Sequence, residues 1–204
     1  MIKKLPMKQL TTKQTSIELP IFPLPVFLLP EGVTKLRIFE PRYLKMVSVA
    51  SSGQGFVIWL NDNSIKADVN DGTMLWGSWV EIINFDQGDD GVLEIDVKCK
   101  SLVVINSVMK SRDSFNVAKV SDITHWSQKH ADNVSSELAT SLEHVFAEND
   151  NLNELYPKKS LGDSHWVLAR WLEILPIELN VKSGFVVNYN FQEAKRFVES
   201  VIFD

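Results

Sequence analysis

From Glu18 to Val49 the chain runs in short apolar bursts cut by prolines, and then its period changes. Pro20, Pro23, Pro25 and Pro30 interrupt L-P-I-F-P-L-P-V-F-L-L-P-E-G. Each fixes φ and removes a ladder donor, so Ile21-Phe22 and Val26 to Leu29 read as short edge or rim strands with proline corners. Glu31-Gly32 is a turn, and Thr34 to Phe39 an extended run with Leu36 and Ile38 on one face. Pro41 suits the first turn of a helix, where no N–H is needed. Tyr43, Leu44, Met46, Val47 and Ala50 form its apolar stripe. Phe39 and Leu44 are expected in the core, joining this helix to the strands.

Downstream, Ser51 to Gly55 is a small-residue loop and Phe56 to Leu60 a strand buried on both faces. Residues 61–72 form a polar loop with one extended patch around Ile65. Met74 to Phe85 is a strand, with Gly77 marking a bulge or a close backbone approach. Asp86 to Gly91 makes a hairpin connection. Beyond it Leu93, Ile95, Val97 and Cys99 alternate with Glu94, Asp96, Lys98 and Lys100. Leu102 to Val108 and Phe115 to Val120 add two strands, about seven in all. From Asp122 the period becomes helical. Val134, Leu138, Leu142, Val145 and Phe146 form one stripe; Val167, Leu168, Trp171, Leu172 and Leu175 form another, capped by Asp163 and ended by Pro176. Asn149 to Pro157 reads as a polar loop, and residues 177–188 fit helix or strand. Asn190 with Glu193 resembles a capping box before Ala194, Phe197, Val198 and Val201. The pattern predicts an α+β chain: a flexible basic tail over 1–16, a β-rich part over 17–121 and a helical bundle over 122–204.

Charge narrows the partners. Of a net −5 over 204 residues, residues 1–16 carry +4 and the rest −9. So acidic a body is a poor ligand for nucleic acid, whose affinity rests on neutralised phosphates. No stretch approaches the roughly 20 apolar residues of a membrane span, and the tail has no apolar core of a secretion signal. The single Cys99 makes no internal disulfide, which suits a reducing cytoplasm, and the Asn133-Val134-Ser135 sequon is discounted accordingly.

Candidate chemistry is sparse. There is no G-x-x-x-x-G-K-[ST] phosphate loop and no H-E-x-x-H. His125 and His130 are five residues apart, on different sides of any helix, and Glu143-His144 is wrongly spaced for zinc. Asp86 to Gly91 fails as a calcium loop, because Val97 occupies the position that needs a bidentate Glu. No catalytic, cofactor or metal residue is assigned, and no cofactor is expected. Cys99 on an apolar face reads as an inert core thiol. Glu40, flanked by Arg37 and Arg42, reads as an ion pair pinning the strand-to-helix corner.

The opening L-P-I-F-P-L-P-V-F-L-L-P-E-G followed by L-R-I-F-E-P-R-Y-L resembles the N-terminal domain of the ATP-dependent protease Lon. Gly77 to Ile82, Ser114 to Val120 and L-A-R-W-L-E-I-L-P-I-E-L continue the likeness in order, over roughly residues 17–203. The sequence departs from the family at C-K-S-L-V (Cys99 to Val103), where Gly and Arg-rich residues are usual. The resemblance implies a PUA-like β pseudobarrel followed by a small helical bundle, without the ATPase and Ser-Lys protease, for which no length remains. It implies a non-catalytic module binding unfolded or tagged polypeptide, or a partner protein, as an adaptor in protein quality control. The family-motif residues Pro23, Leu24, Pro25, Arg37, Phe39, Glu40, Pro41, Arg42 and Tyr43 are read as structural, and peptide-binding residues stay unassigned. Strand edges freed by proline, with exposed aromatics among Phe22, Phe27, Trp59 and Trp76, would supply the binding surface. The alternatives are an enzyme with an unrecognised site and a PUA-like RNA binder.

Overall fold

The structure, a computed structural model, describes residues 16–60, 75–126, 133–187 and 190–203. The expectations for the basic tail before Ser16, for the loop around Ile65 and for His130 lie outside the described residues. The strands are β1 (Ile17–Leu24), β2 (Val33–Ile38), β3 (Phe56–Leu60), β4 (Trp76–Gln87), β5 (Leu93–Lys110) and β6 (Asn116–Ile123). Helix α1 (Pro41–Ala50) follows β2. After β6 come α2 (Ser136–Glu148), α3 (Asp150–Leu155), α4 (Ser164–Ile174), α5 (Leu179–Val187) and α6 (Phe191–Phe203).

The sheet runs β2-β5-β4-β3-β1-β6, and β6 also pairs with β5. That extra pairing closes five strands into a ring and leaves β2 as an appended edge, so the α+β pseudobarrel expected from the sequence is present. Closure is possible because β5 is long and bends, with register shifts against β4 at Trp79/Val80 and against β6 at Ile105/Ser107. Alternation along β3 divides the apolar residues. Val57 joins Leu19, Ile21, Val103, Ile105, Ala118 and Val120 in a small cluster. Phe56 and Ile58 point the other way, into a large cluster that continues without a break into α1, α2, α4 and α6.

Five expectations are corrected. First, β1 is not an edge. It pairs antiparallel with β6 over Ile17 to Ile21 and parallel with β3 over Ile21 to Leu24. The strand changes neighbours at Ile21, and Pro20 and Pro23, being three apart, lack donors on opposite edges. Each missing N–H can therefore fall where no partner runs. Second, Val26 to Leu29 is no strand; it is irregular backbone held by side chains from elsewhere. Third, Leu93 to Val108 is one strand, β5, so the described residues hold six strands. Fourth, the polar stretch after α2 contains α3, started by Asn149, whose Oδ1 accepts from Leu152 N at 3.0 Å. Fifth, Phe39 is 71% exposed and Leu44 40%. Leu36 and Ile38 take the inward face of β2, so period 2 sends Phe39 outward. Pro41 at the first helical position then sets the phase of α1 so that Tyr43, Met46, Val47 and Ala50 face the core. Phe39→Ala is accordingly expected to change stability by no more than about 0.5 kcal/mol in chemical denaturation.

The helix signals at Asp163 and Asn190 held: Asp163 Oδ1 accepts from His165 N at 2.9 Å and Asn190 Oδ1 from Glu193 N at 3.1 Å. A cap not singled out in the sequence starts α2, where Ser135 Oγ accepts from Leu138 N at 3.2 Å. Residues Trp166 to Leu172 of α4 are all buried. A helix buried on every side is a central element, and the ambiguous stretch before α6 folds as α5.

Candidate functional site: a cleft between the proline loop and the helices

The backbone between Pro25 and Val33 belongs to no regular element, yet its polar groups are paired on both sides. Toward the sheet, Ser78 Oγ donates to Leu28 O, Glu31 N to Cys99 O at 2.8 Å and Cys99 N to Gly32 O at 2.8 Å. Toward the helices, Leu29 N donates to Glu173 Oε1 at 2.6 Å. Arg170 Nη2 donates to Leu29 O at 3.3 Å and Pro30 O at 3.1 Å. Tyr156 Oη accepts from Val33 N at 2.7 Å and donates to Val33 O at 3.3 Å. Irregular backbone survives inside a fold only when its donors and acceptors are met in this way.

On the helix side, Arg170 and Glu173 of α4 hold Leu29 and Pro30, with Lys182 of α5 beside them. Arg170, 1% exposed, grips Glu173 one helical turn on, through Nε to Oε2 at 2.6 Å and Nη2 to Oε1 at 2.8 Å. Its guanidinium lies 5.6 Å from the Tyr156 ring and 5.5 Å from the Trp166 ring. Lys182 Nζ donates to Glu173 O at 3.0 Å and sits 5.6 Å from the Phe27 ring. Burial raises the Glu173 carboxyl above its ordinary value, against the pull of Arg170. Arg170 loses solvation too, but the Glu173 carboxylate raises it above the usual arginine value. Burial lowers Lys182, with Glu173 opposing, and pushes the Tyr156 phenol up.

Above these groups opens a cleft of about 410 Å³. Its walls are Val26 and Phe27 of the proline loop, Leu152 of α3, and Ile174 and Leu179 around α4 and α5; Arg170, Glu173 and Lys182 line it as well. Apolar walls with a few convergent polar groups are what a ligand site requires.

The family-motif residues are distributed around this cleft rather than gathered in it. Pro23 and Leu24 pair with Trp59 and Leu60 of β3, while Pro25 lines the cleft. Arg37 turns to Asp90 and to Glu94 at 3.3 Å, not to Glu40. Glu40 pairs with Arg42 at 2.8 Å, both exposed, at the strand-to-helix corner where an ion pair was expected. Arg42 also lies 4.5 Å over the Tyr43 ring, itself 4.2 Å from Phe22. The proposed aromatic surface is corrected: Phe22, Phe27 and Trp76 are core residues, and Trp59 is half-buried against the small cluster. The free edge belongs to β2, where Tyr156 covers Val33 and the charged Lys35 and Arg37 follow, side chains that discourage pairing by another strand.

Other chemistry is thin. Cys99 is fully buried and burial pushes its thiol up, so little thiolate forms. Among the described residues no group of three or more His, Cys, Asp or Glu is placed to hold a metal. His125 stacks on Trp126 at 4.2 Å, and His165 lies 6.2 Å from the same ring. Neither ring nitrogen of His125 has a partner among the described residues. Burial, helped by His165, lowers its pKa from 6.5 to about 3. The unfolded chain therefore binds the proton more readily. This contribution to stability is complete above pH 6.5 and falls as pH drops toward 3, by about 1.4 kcal/mol per unit. Denaturation at pH 7 and pH 5 should differ by about 2 kcal/mol from this group alone, and His125→Phe should remove that increment.

The sequence missed Arg170, Glu173 and Lys182 as a group. The available signal was the pair Arg170 and Glu173, three apart on a helix otherwise apolar on every face. Buried charges are seldom retained without a partner.

The family model of the ATP-dependent protease La (LON) substrate-binding domain matches residues 18–177. The crystal structure of a Lon N-terminal domain protein from Xanthomonas campestris superposes with a TM-score of 0.66 at 26% identity, covering 90% of this chain and 98% of that one. The N-terminal domain of a Mycobacterium avium complex Lon protease gives 0.59 at 11% identity, covering 90% and 97%, and is alike in fold alone. No curated protein is similar enough in sequence to count as a match. Among the described residues no helix is long and apolar enough to cross a membrane.

Proposed function

We propose, because the chain belongs to the LON substrate-binding domain family, that it is a non-catalytic polypeptide-binding module acting as an adaptor in protein quality control. The observation that carries the reading is the cleft of about 410 Å³ between the proline loop and α3 to α5. Val26, Leu152, Ile174 and Leu179 give it apolar surface of the kind the side chains of an unfolded segment need, and Pro25 of the family motif lines it. The sequence supports the non-catalytic part, since it holds neither a phosphate-binding loop nor an H-E-x-x-H.

A fluorescently labelled unfolded polypeptide, such as reduced and carboxymethylated α-lactalbumin, should bind the full chain with a measurable anisotropy change. Native α-lactalbumin should not compete. Val26→Asp, which puts a charge on a half-buried cleft wall, should weaken binding by about tenfold or more, since an unpaired charge resists desolvation. Equal affinity of that variant, with its fold intact by circular dichroism, would remove the cleft from the reading.

A further inference from the structure

The charges beneath the cleft do not balance. Arg170 and Lys182 bring two positive charges against the single carboxylate of Glu173. Among the described residues no other carboxylate lies within ion-pair distance of either cation. The excess is carried on aromatic faces instead, those of Tyr156, Trp166 and Phe27. Arg170 is 1% exposed, and its Nη1 has no hydrogen-bond partner among the described residues. Lys182 has three donors, and its only hydrogen bond among the described residues goes to Glu173 O. The first turn of α5, which carries Leu179 and Lys182, lines the same space, and its helix dipole adds positive potential there.

We propose that the cleft takes the C-terminal end of an apolar polypeptide, with the terminal carboxylate held by Lys182 in the field of Arg170. This rests on the reading that the chain binds polypeptide, and names which part of one. A terminal carboxylate suits the geometry better than an internal Asp or Glu. It brings one negative charge to the cationic floor while the preceding side chains meet Val26, Leu152 and Leu179. An internal acid would instead take desolvated backbone into the cleft on both sides. In a cleft partly shielded from water, a charge-assisted bond to a lysine is worth more than in bulk water.

The test uses the full chain and three labelled octapeptides. One ends in three leucines with a free carboxylate, the second is its C-terminal amide, and the third is that amide with an internal glutamate. The free acid should bind at least about tenfold tighter than either amide. Lys182→Met should remove the difference and Lys182→Arg should keep most of it, both variants being checked for a native fold by circular dichroism. Equal binding of acid and amide to the native chain would overturn the proposal, as would a preference that survives Lys182→Met. An internal-glutamate amide binding as tightly as the free acid would overturn the terminal assignment. If unfolded α-lactalbumin binds while the octapeptides show no preference, this inference falls and the polypeptide-binding reading stands. If neither binds, both fall.

Discussion

Arg170→Ala is expected to cost about 3–5 kcal/mol of stability, the range for removing one partner of a buried ion pair. The loss comes from what is left behind more than from the bond itself. Glu173 would be left with little access to water and, among the described residues, only Leu29 N as a close donor, its carboxyl pushed further toward the neutral form. Leu29 O and Pro30 O would lose the donor they share. The double variant Arg170→Met with Glu173→Leu should recover part of the loss, as apolar replacement of buried ion pairs often does. Recovery should stop short of the native value, because the loop backbone would still lack its partners, at about 1–3 kcal/mol for each orphaned group. Urea denaturation of the three proteins decides the matter. A loss below about 1 kcal/mol for Arg170→Ala would mean that the pair does not hold the loop.

Gly32→Ala should cost about 3 kcal/mol, the upper end of ordinary overpacking. A Cβ built on Gly32 falls 2.4 Å from Glu173 Oε1 and 2.8 Å from both Arg170 Nη2 and Leu28 Cδ1. Two of those three atoms cannot swing away cheaply, since they bond each other and the loop backbone. The glycine of the L-P-E-G motif is thus explained by closeness to α4, some 140 residues away in sequence. The cost should shrink in the background of Arg170→Met with Glu173→Leu, where the polar atoms it strikes are gone. Strict additivity there would show that the glycine and the pair act independently.

Sequence reading succeeded where a local period decides the structure. The alternation from Leu93 to Cys99, the turn at Asp86 to Gly91 and the caps at Asp163 and Asn190 depend on neighbours within a few residues. The resemblance to Lon supplied the closed sheet, which no local pattern could. The failures share a different cause. Phe39 and Leu44 looked like core residues because they are large and sit at a corner, but the phase set by Ile38 and Pro41 points them outward. Pro20 and Pro23 argued for an edge strand, yet a strand that changes neighbours midway accommodates both. Arg170, Glu173 and Lys182 were read past because charged residues on helices are usually solvated. Their burial depends on a loop folded against them from the other end of the chain, and long-range contacts leave little trace in local sequence.

The central claim is that the cleft roofed by the proline loop is where this module meets polypeptide. Amide hydrogen exchange of the full chain, with and without saturating reduced and carboxymethylated α-lactalbumin, tests it most directly. Protection should appear in Val26 to Leu29, in α3 around Leu152 and in the first turn of α5 from Leu179 to Lys182, with β4 and the corner at Phe39 unchanged. Protection confined to Phe39 and the hairpin from Gln87 to Leu93, with the cleft segments exchanging as before, would contradict the account.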